Sequence, residues 1–157
     1  MVSNQPAIPD FKNAAHRHFG DAEFLYKASP SRFPNADQLY GFAVECALKQ
    51  MMQNHFQGKL QAGRNGGQFV HLPNRRAPVT SHVDHLWGEF CSLWRGRQST
   101  PPIPIFSGQA NPFDDWRIGD RYCHSQDIAA AAVAGRRMAA VEVLKYFEAL
   151  EISYGTF

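Results

Sequence analysis

Asn35-Ala-Asp-Gln-Leu-Tyr-Gly-Phe-Ala-Val-Glu-Cys-Ala-Leu-Lys-Gln-Met-Met52 decides the fold. Tyr40, Ala43, Val44, Ala47, Leu48 and Met51 recur at helical spacing on one stripe, and Leu39, Phe42 and Cys46 form a second. A helix that is apolar on more than one face is covered by neighbours on several sides, so this segment is expected at the centre of the molecule. Glu45 and Lys49 interrupt the apolar pattern at i,i+4 with the acid first, the favoured order for an intrahelical pair. Asn35 is the expected N-cap, with Gln38 in capping-box position.

Three further segments follow the same 3.6-residue period. Asp10 to Ala28 places Phe11, Ala15, His18, Ala22 and Leu25 on one stripe and stops at Ser29-Pro30, since a residue before proline leaves the α region. A third helix is expected from Thr80 or Ser81 to Gly96, with Val83, Leu86, Trp87, Phe90, Leu93 and Trp94 inside. A fourth, capped by Ser125 and running to Glu151, carries Ile128, Ala132, Gly135, Ala139, Val143, Tyr146 and Leu150 on one stripe. Its Ala132–Gly135–Ala139 ridge is expected to let a neighbouring backbone approach closely, within the chain or across an assembly.

Two long connections remain. Gln57 to Pro78 is rich in Gly and Pro and carries Lys59, Arg64, Arg75 and Arg76 with no acid, which suits phosphate groups. Ser99 to Asp115 is Pro-rich. The chain therefore reads as all-α, an up-and-down bundle of four to five helices with two long connecting loops, forming a single domain over 1–157. An α+β alternative stays open if Gln68-Phe-Val-His-Leu72 pairs as a strand.

Composition narrows the class without naming a function. The chain has 157 residues, 44% hydrophobic and 19% charged, enough for one core without disulfides. Its net charge of +2 announces neither nucleic acid nor membrane. No apolar run is long enough to cross a bilayer, and Met1 to Asp10 lacks the features of a signal peptide. Cys46, Cys91 and Cys123 are odd in number and widely spaced, which fits a reducing, cytoplasmic setting.

Several sharp motifs fail. Gly58-x4-Gly63 is followed by Arg64-Asn65 where a phosphate loop needs Lys-Ser/Thr, and Gly63-Arg-Asn-Gly66 lacks the sheet of a nucleotide clamp. The pairs His16/His18 and His82/His85, with Cys123-His124, do not form a convergent ligand set by spacing, so no metal or other cofactor is expected. Trp116-Arg-Ile-Gly-Asp-Arg-Tyr-Cys-His124 carries more weight. An arginine stabilises developing negative charge and a histidine moves protons near neutral pH, the two roles that metal-free RNA cleavage needs. The alternative role is docking, with Trp116 and Tyr122 pinning the loop and Arg117 or Arg121 paired to Asp114, Asp115 or Asp120.

Ala43-Val-Glu45-Cys-Ala-Leu48-Lys49 resembles the Ala-x-Glu-x-x-Leu-Lys core of the central helix in HEPN-domain proteins, and the order of helices is similar. The resemblance implies an all-α bundle that often forms a homodimer. It implies one of two activities. The first is a non-catalytic domain that binds nucleotide or RNA, or a protein partner, through Glu45, Lys49, Trp116, Arg121, Tyr122, Arg75 and Arg76. Its partner could be a separate nucleotidyltransferase. The second is a metal-independent ribonuclease of toxin–antitoxin type, whose Arg-x4–6-His motif falls on Arg117 and His124, with six residues between them. The residue after that arginine is Ile118, where the family commonly has a polar one. Arg76-x5-His82 is a second match to the motif.

Overall fold

The computed structural model describes residues 9–62, 68–73, 82–96, 106, 110–123 and 127–154. Within these, α1 (Phe11–Lys27), α2 (Phe33–Phe56), α3 (Val83–Arg95) and α4 (Ala130–Tyr154) form a helical bundle. Two short strands, β1 (Lys59–Ala62) and β2 (Gln68–His71), pair antiparallel with Leu60 opposite Val70. A 3-10 helix, η1 (Ile118–Tyr122), precedes α4. The alternative strand at Gln68 is thus realised, but as a hairpin appended to an all-α bundle. Val70 and Leu72 are buried, so the hairpin closes one side of the core.

The central position of α2 follows from its two apolar stripes. Fourteen of its residues are buried, from Pro34 to His55. Contacts at both ends fix the directions of its neighbours. Phe11 lies under Lys49 and His18 against Phe42, so α1 runs antiparallel to α2. Asp37 meets Arg136 and Asn54 meets Glu151, so α4 runs with α2. Glu45 meets His82 and Phe56 meets Trp94, so α3 does likewise. Both long connections return the chain to the same end of the bundle.

Helix boundaries differ from the sequence expectation in three places. Arg32, not Asn35, caps α2, because Pro34 tolerates the first turn where its missing N–H is not needed. Gln38 forms no capping box. It is buried, and its Nε2 donates to the Arg117 carbonyl at 2.7 Å. His82 caps α3, one residue beyond Ser81. α4 begins at Ala130 rather than next to Ser125.

The ridge on α4 also divides. Ala139 is buried, but Gly135 is exposed and a Cβ there would meet nothing within 4 Å. The core side of α4 is instead Val133, Arg136, Ala140, Val143, Leu144 and Phe147. No described helix is long and apolar enough to cross a membrane.

Candidate functional site

The segment 110–123 lies as a strap across α2 and α3. Asn111 starts it, donating from Nδ2 to the Asp84 carbonyl at 2.7 Å and accepting from the Phe113 N–H at 2.9 Å. Phe113 and Trp116 are wholly buried. The Trp116 indole donates to the Asp37 carbonyl at 3.2 Å and meets the Phe42 ring edge-on at 5.8 Å. It enters at Gly41, where any Cβ would collide with the indole. Glycine is required here by close approach, not by backbone conformation.

Beneath the strap lies an ion pair that the sequence reading missed. Arg136, 5% exposed, reaches Asp37 through Nη1 at 2.5 Å and Asp115 through Nη2 at 2.6 Å. Its Nε donates to the Pro112 carbonyl at 3.3 Å. Asp37 is 0% exposed and its Oδ1 has no hydrogen-bond partner among the described residues. Burial pushes its carboxyl up to about 6 despite the guanidinium, while the bond to Arg136 holds Asp115 below its usual range. The available signal was a single charge, Arg136, within the apolar face of α4. A cavity of about 250 Å³ lies beside it, lined by Asp115, Asp120, Cys123, Asp127 and Arg136.

Above the strap, the expected Glu45–Lys49 pair is present at 2.6 Å, with both side chains mostly buried. The second Glu45 oxygen lies 3.2 Å from His82 Nδ1. Burial pushes the Glu45 carboxyl up, but His82 and Lys49 outweigh it and hold it below the ordinary range. The same hydrogen bond raises His82 above 6.5 against partial burial. His82 is half-exposed, and its ring packs near Trp116 at 6.0 Å. Burial pushes the Cys46 thiol up to about 12, which leaves it a poor nucleophile.

Arg117 follows Trp116 onto the surface. Its Nη1 donates to the carbonyls of Asp114 and Trp116, each at 2.8 Å, and lies 3.7 Å from the Asp84 carboxylate. Asp120 accepts from the Arg117 backbone N–H at 3.2 Å and so starts η1. Four residues on, Arg121 donates to the Tyr122 hydroxyl at 2.7 Å and stacks over that ring at 4.7 Å. Tyr122 is 79% exposed.

Glu45, Lys49 and Trp116 therefore meet around His82, and Arg117, Arg121 and Tyr122 follow Trp116 along the strap. Two of them differ from the binding role expected of them, and Tyr122 from the docking role. Trp116 and Lys49 are buried and position the site from below, because the bundle takes up the indole and Glu45 takes up the ammonium. Tyr122 does not pin the strap; it projects from it. His124, Arg75 and Arg76 lie outside the described residues. Among the described residues, no three His, Cys, Asp or Glu side chains are grouped to hold a metal ion. In comparisons with protein families, curated proteins and solved structures, nothing matches the chain.

Proposed function

We propose that the chain is a non-catalytic, HEPN-like domain that binds single-stranded RNA across the strap and the start of α3. The observation that carries this reading is the exposed Arg121–Tyr122 plate, four residues beyond the exposed Arg117 on the same strap. An exposed aromatic ring backed by a guanidinium is a stacking platform for an unpaired base. Arg117 and the His82 imidazolium, whose charge is favoured by Glu45, supply contacts for phosphates. Base stacking and phosphate contact together suit a strand better than a lone anion. Fluorescence anisotropy with a short labelled single-stranded RNA tests the reading. Affinity should fall with added salt and fall further in Arg117→Ala and Tyr122→Ala. Binding unaffected by both substitutions would reject it.

A second reading, a metal-independent ribonuclease, is supported by one specific feature. Glu45 orients His82 through Nδ1, leaving Nε2 as the proton-transferring nitrogen, and the carboxylate of Asp84, two residues on from His82, lies 3.7 Å from the Arg117 guanidinium. The expected acid–base residue from the motif is His124, so both histidines enter the test. RNA incubated with the protein in EDTA should stay whole under the first reading. Under the second it is cut, and Arg117→Ala abolishes cutting together with His124→Ala or His82→Ala.

A further inference from the structure

We infer that the cavity between η1 and the start of α4 takes a guanine base, read on its pairing edge by carboxylates and by Arg136. The cavity holds about 250 Å³, just under the ~300–1,000 Å³ range of small-molecule sites. Its polar wall is Asp115, Asp120, Asp127 and Arg136, and Ile128 and Ala132 give it an apolar one. Arg136 is the residue that points to a ligand. It is 5% exposed, and three of its five N–H groups are taken, by Asp37, Asp115 and the Pro112 carbonyl. Two N–H groups of a buried guanidinium are left for whatever enters the space that it lines.

The chemistry of the wall selects the occupant. Asp37 and Asp115 already share the guanidinium, and Asp120 adds negative potential at Asp37. Asp120 accepts from the Arg117 N–H through Oδ2, and its other oxygen makes no hydrogen bond among the described residues. The carboxylates do not converge on a point, since no three His, Cys, Asp or Glu side chains among the described residues are grouped to hold a metal ion. Spread round a cavity, they suit an organic group with several N–H donors. An ammonium or guanidinium supplies donors but sets a second cation against the two remaining Arg136 N–H groups. Guanine supplies both kinds of partner: N1–H and the N2 amino group donate side by side to a carboxylate, and O6 accepts from arginine. Adenine and cytosine offer one amino group beside a ring acceptor that a carboxylate repels, and uracil offers one N–H. The source of the base is the strand proposed above, and the assignment rests on that reading to this extent. Asp120 enters the cavity from η1, and the exposed Arg121–Tyr122 plate follows it directly in the chain.

Fluorescence anisotropy of the full chain with a short labelled oligouridylate, varied at one central nucleotide, tests it. Guanosine at that position should bind about 10-fold more tightly than adenosine, cytidine or uridine. Inosine, which lacks the N2 amino group, should lose part of that gain with no change to the protein. Asp120→Asn keeps an oxygen for the Arg117 N–H but replaces the carboxylate by an amide, and should erase the preference without weakening the all-uridine strand. A second readout needs no strand. Cys123 lines the cavity and is exposed, whereas Cys91 is buried and burial pushes the Cys46 thiol up to about 12, so iodoacetamide should reach Cys123 first. Guanosine monophosphate should slow that alkylation several-fold, followed by mass spectrometry, and adenosine monophosphate at the same concentration should not. Strands that bind with no base preferred, or a guanosine preference that survives Asp120→Asn, would overturn the assignment and leave RNA binding standing. If no strand binds, RNA binding falls and the nucleotide decides: protection by guanosine monophosphate makes the cavity a site for the free nucleotide, and unchanged alkylation overturns the assignment too.

Discussion

Glu45 Oε2 and His82 Nδ1 stand 3.2 Å apart, linking the middle of the central helix to the cap of α3. The same carboxylate accepts from Lys49 at 2.6 Å, so one buried acid serves one buried and one half-exposed cation. Electrostatic control of the surface histidine therefore sits inside the bundle.

Replacing Glu45 with Gln should lower the His82 pKa towards its ordinary 6.5, read by NMR titration of the imidazole. The folded-state pKa of His82 is raised, so the contact's contribution to stability is full below 6.5 and is lost as pH rises through the raised value. The substitution also leaves Lys49 buried without its carboxylate, at about 1–3 kcal/mol in a urea melt. An unchanged His82 titration would show that the ring takes its charge from elsewhere.

Asp37 gives the opposite sign to most carboxylates. Its folded pKa, about 6, stands above the ordinary 3.8, so the folded state holds the proton more tightly between those values. Stability from this group is highest at the acid end and declines by about 2–3 kcal/mol as pH rises through 6. His18, lowered by burial, acts in the other direction just below 6.5. The difference between wild type and Asp37→Asn isolates the effect: wild type should lose ground to the variant from pH 4 to 6.5. A constant difference would mean that Asp37 stays ionised beside Arg136 throughout.

How much of this was legible in the sequence depends on whether the deciding interaction is periodic. The stripes of α1, α2 and α3 are, and Phe11, Val44 and Trp87 lie inside as spacing requires. The α2 start is ambiguous in sequence because Pro34 and Asn35 are both good first-turn residues, and only the packed position of Gln38 distinguishes them. The hairpin was visible only as an alternative, since four residues such as Gln68–His71 are too few to show a period. The stripe expected on α4 is rotated about the helix axis from the face that is buried. With alanine nearly all round, its stripe has little contrast, and the buried Arg136 looks like a surface charge until Asp37 and Asp115 are seen against it. The site residues were legible as types. Their division into buried supports and exposed contacts was not, because it follows from the docking of Trp116 between distant segments.

That docking makes Gly41 sensitive. Gly41→Ala should force the Trp116 indole from its place, costing about 1–3 kcal/mol as overpacking does. The reference pair is Trp116→Phe, which shortens the intruding ring and gives up the bond to the Asp37 carbonyl. If the clash is the cause, G41A should cost less in the Trp116→Phe background than in wild type, a non-additivity read from urea midpoints. Full additivity would place the damage elsewhere in α2.

Tyr122 offers the cleanest separation of function from fold. Its side chain is 79% exposed and contacts Arg121 alone among the interactions described, so removing it should leave the melting temperature nearly unchanged. Tyr122→Ala removes the stacking ring and should weaken RNA binding by about 1–3 kcal/mol, roughly 5- to 150-fold. Tyr122→Phe keeps the ring and loses only the hydroxyl that accepts from Arg121, so most of the affinity should remain. Arg117→Ala should act differently, reducing the slope of affinity against salt by about one counterion while leaving base preference intact. If Phe and Ala at position 122 weaken binding equally, the hydroxyl rather than the ring is the contact, and the stacking platform is wrong.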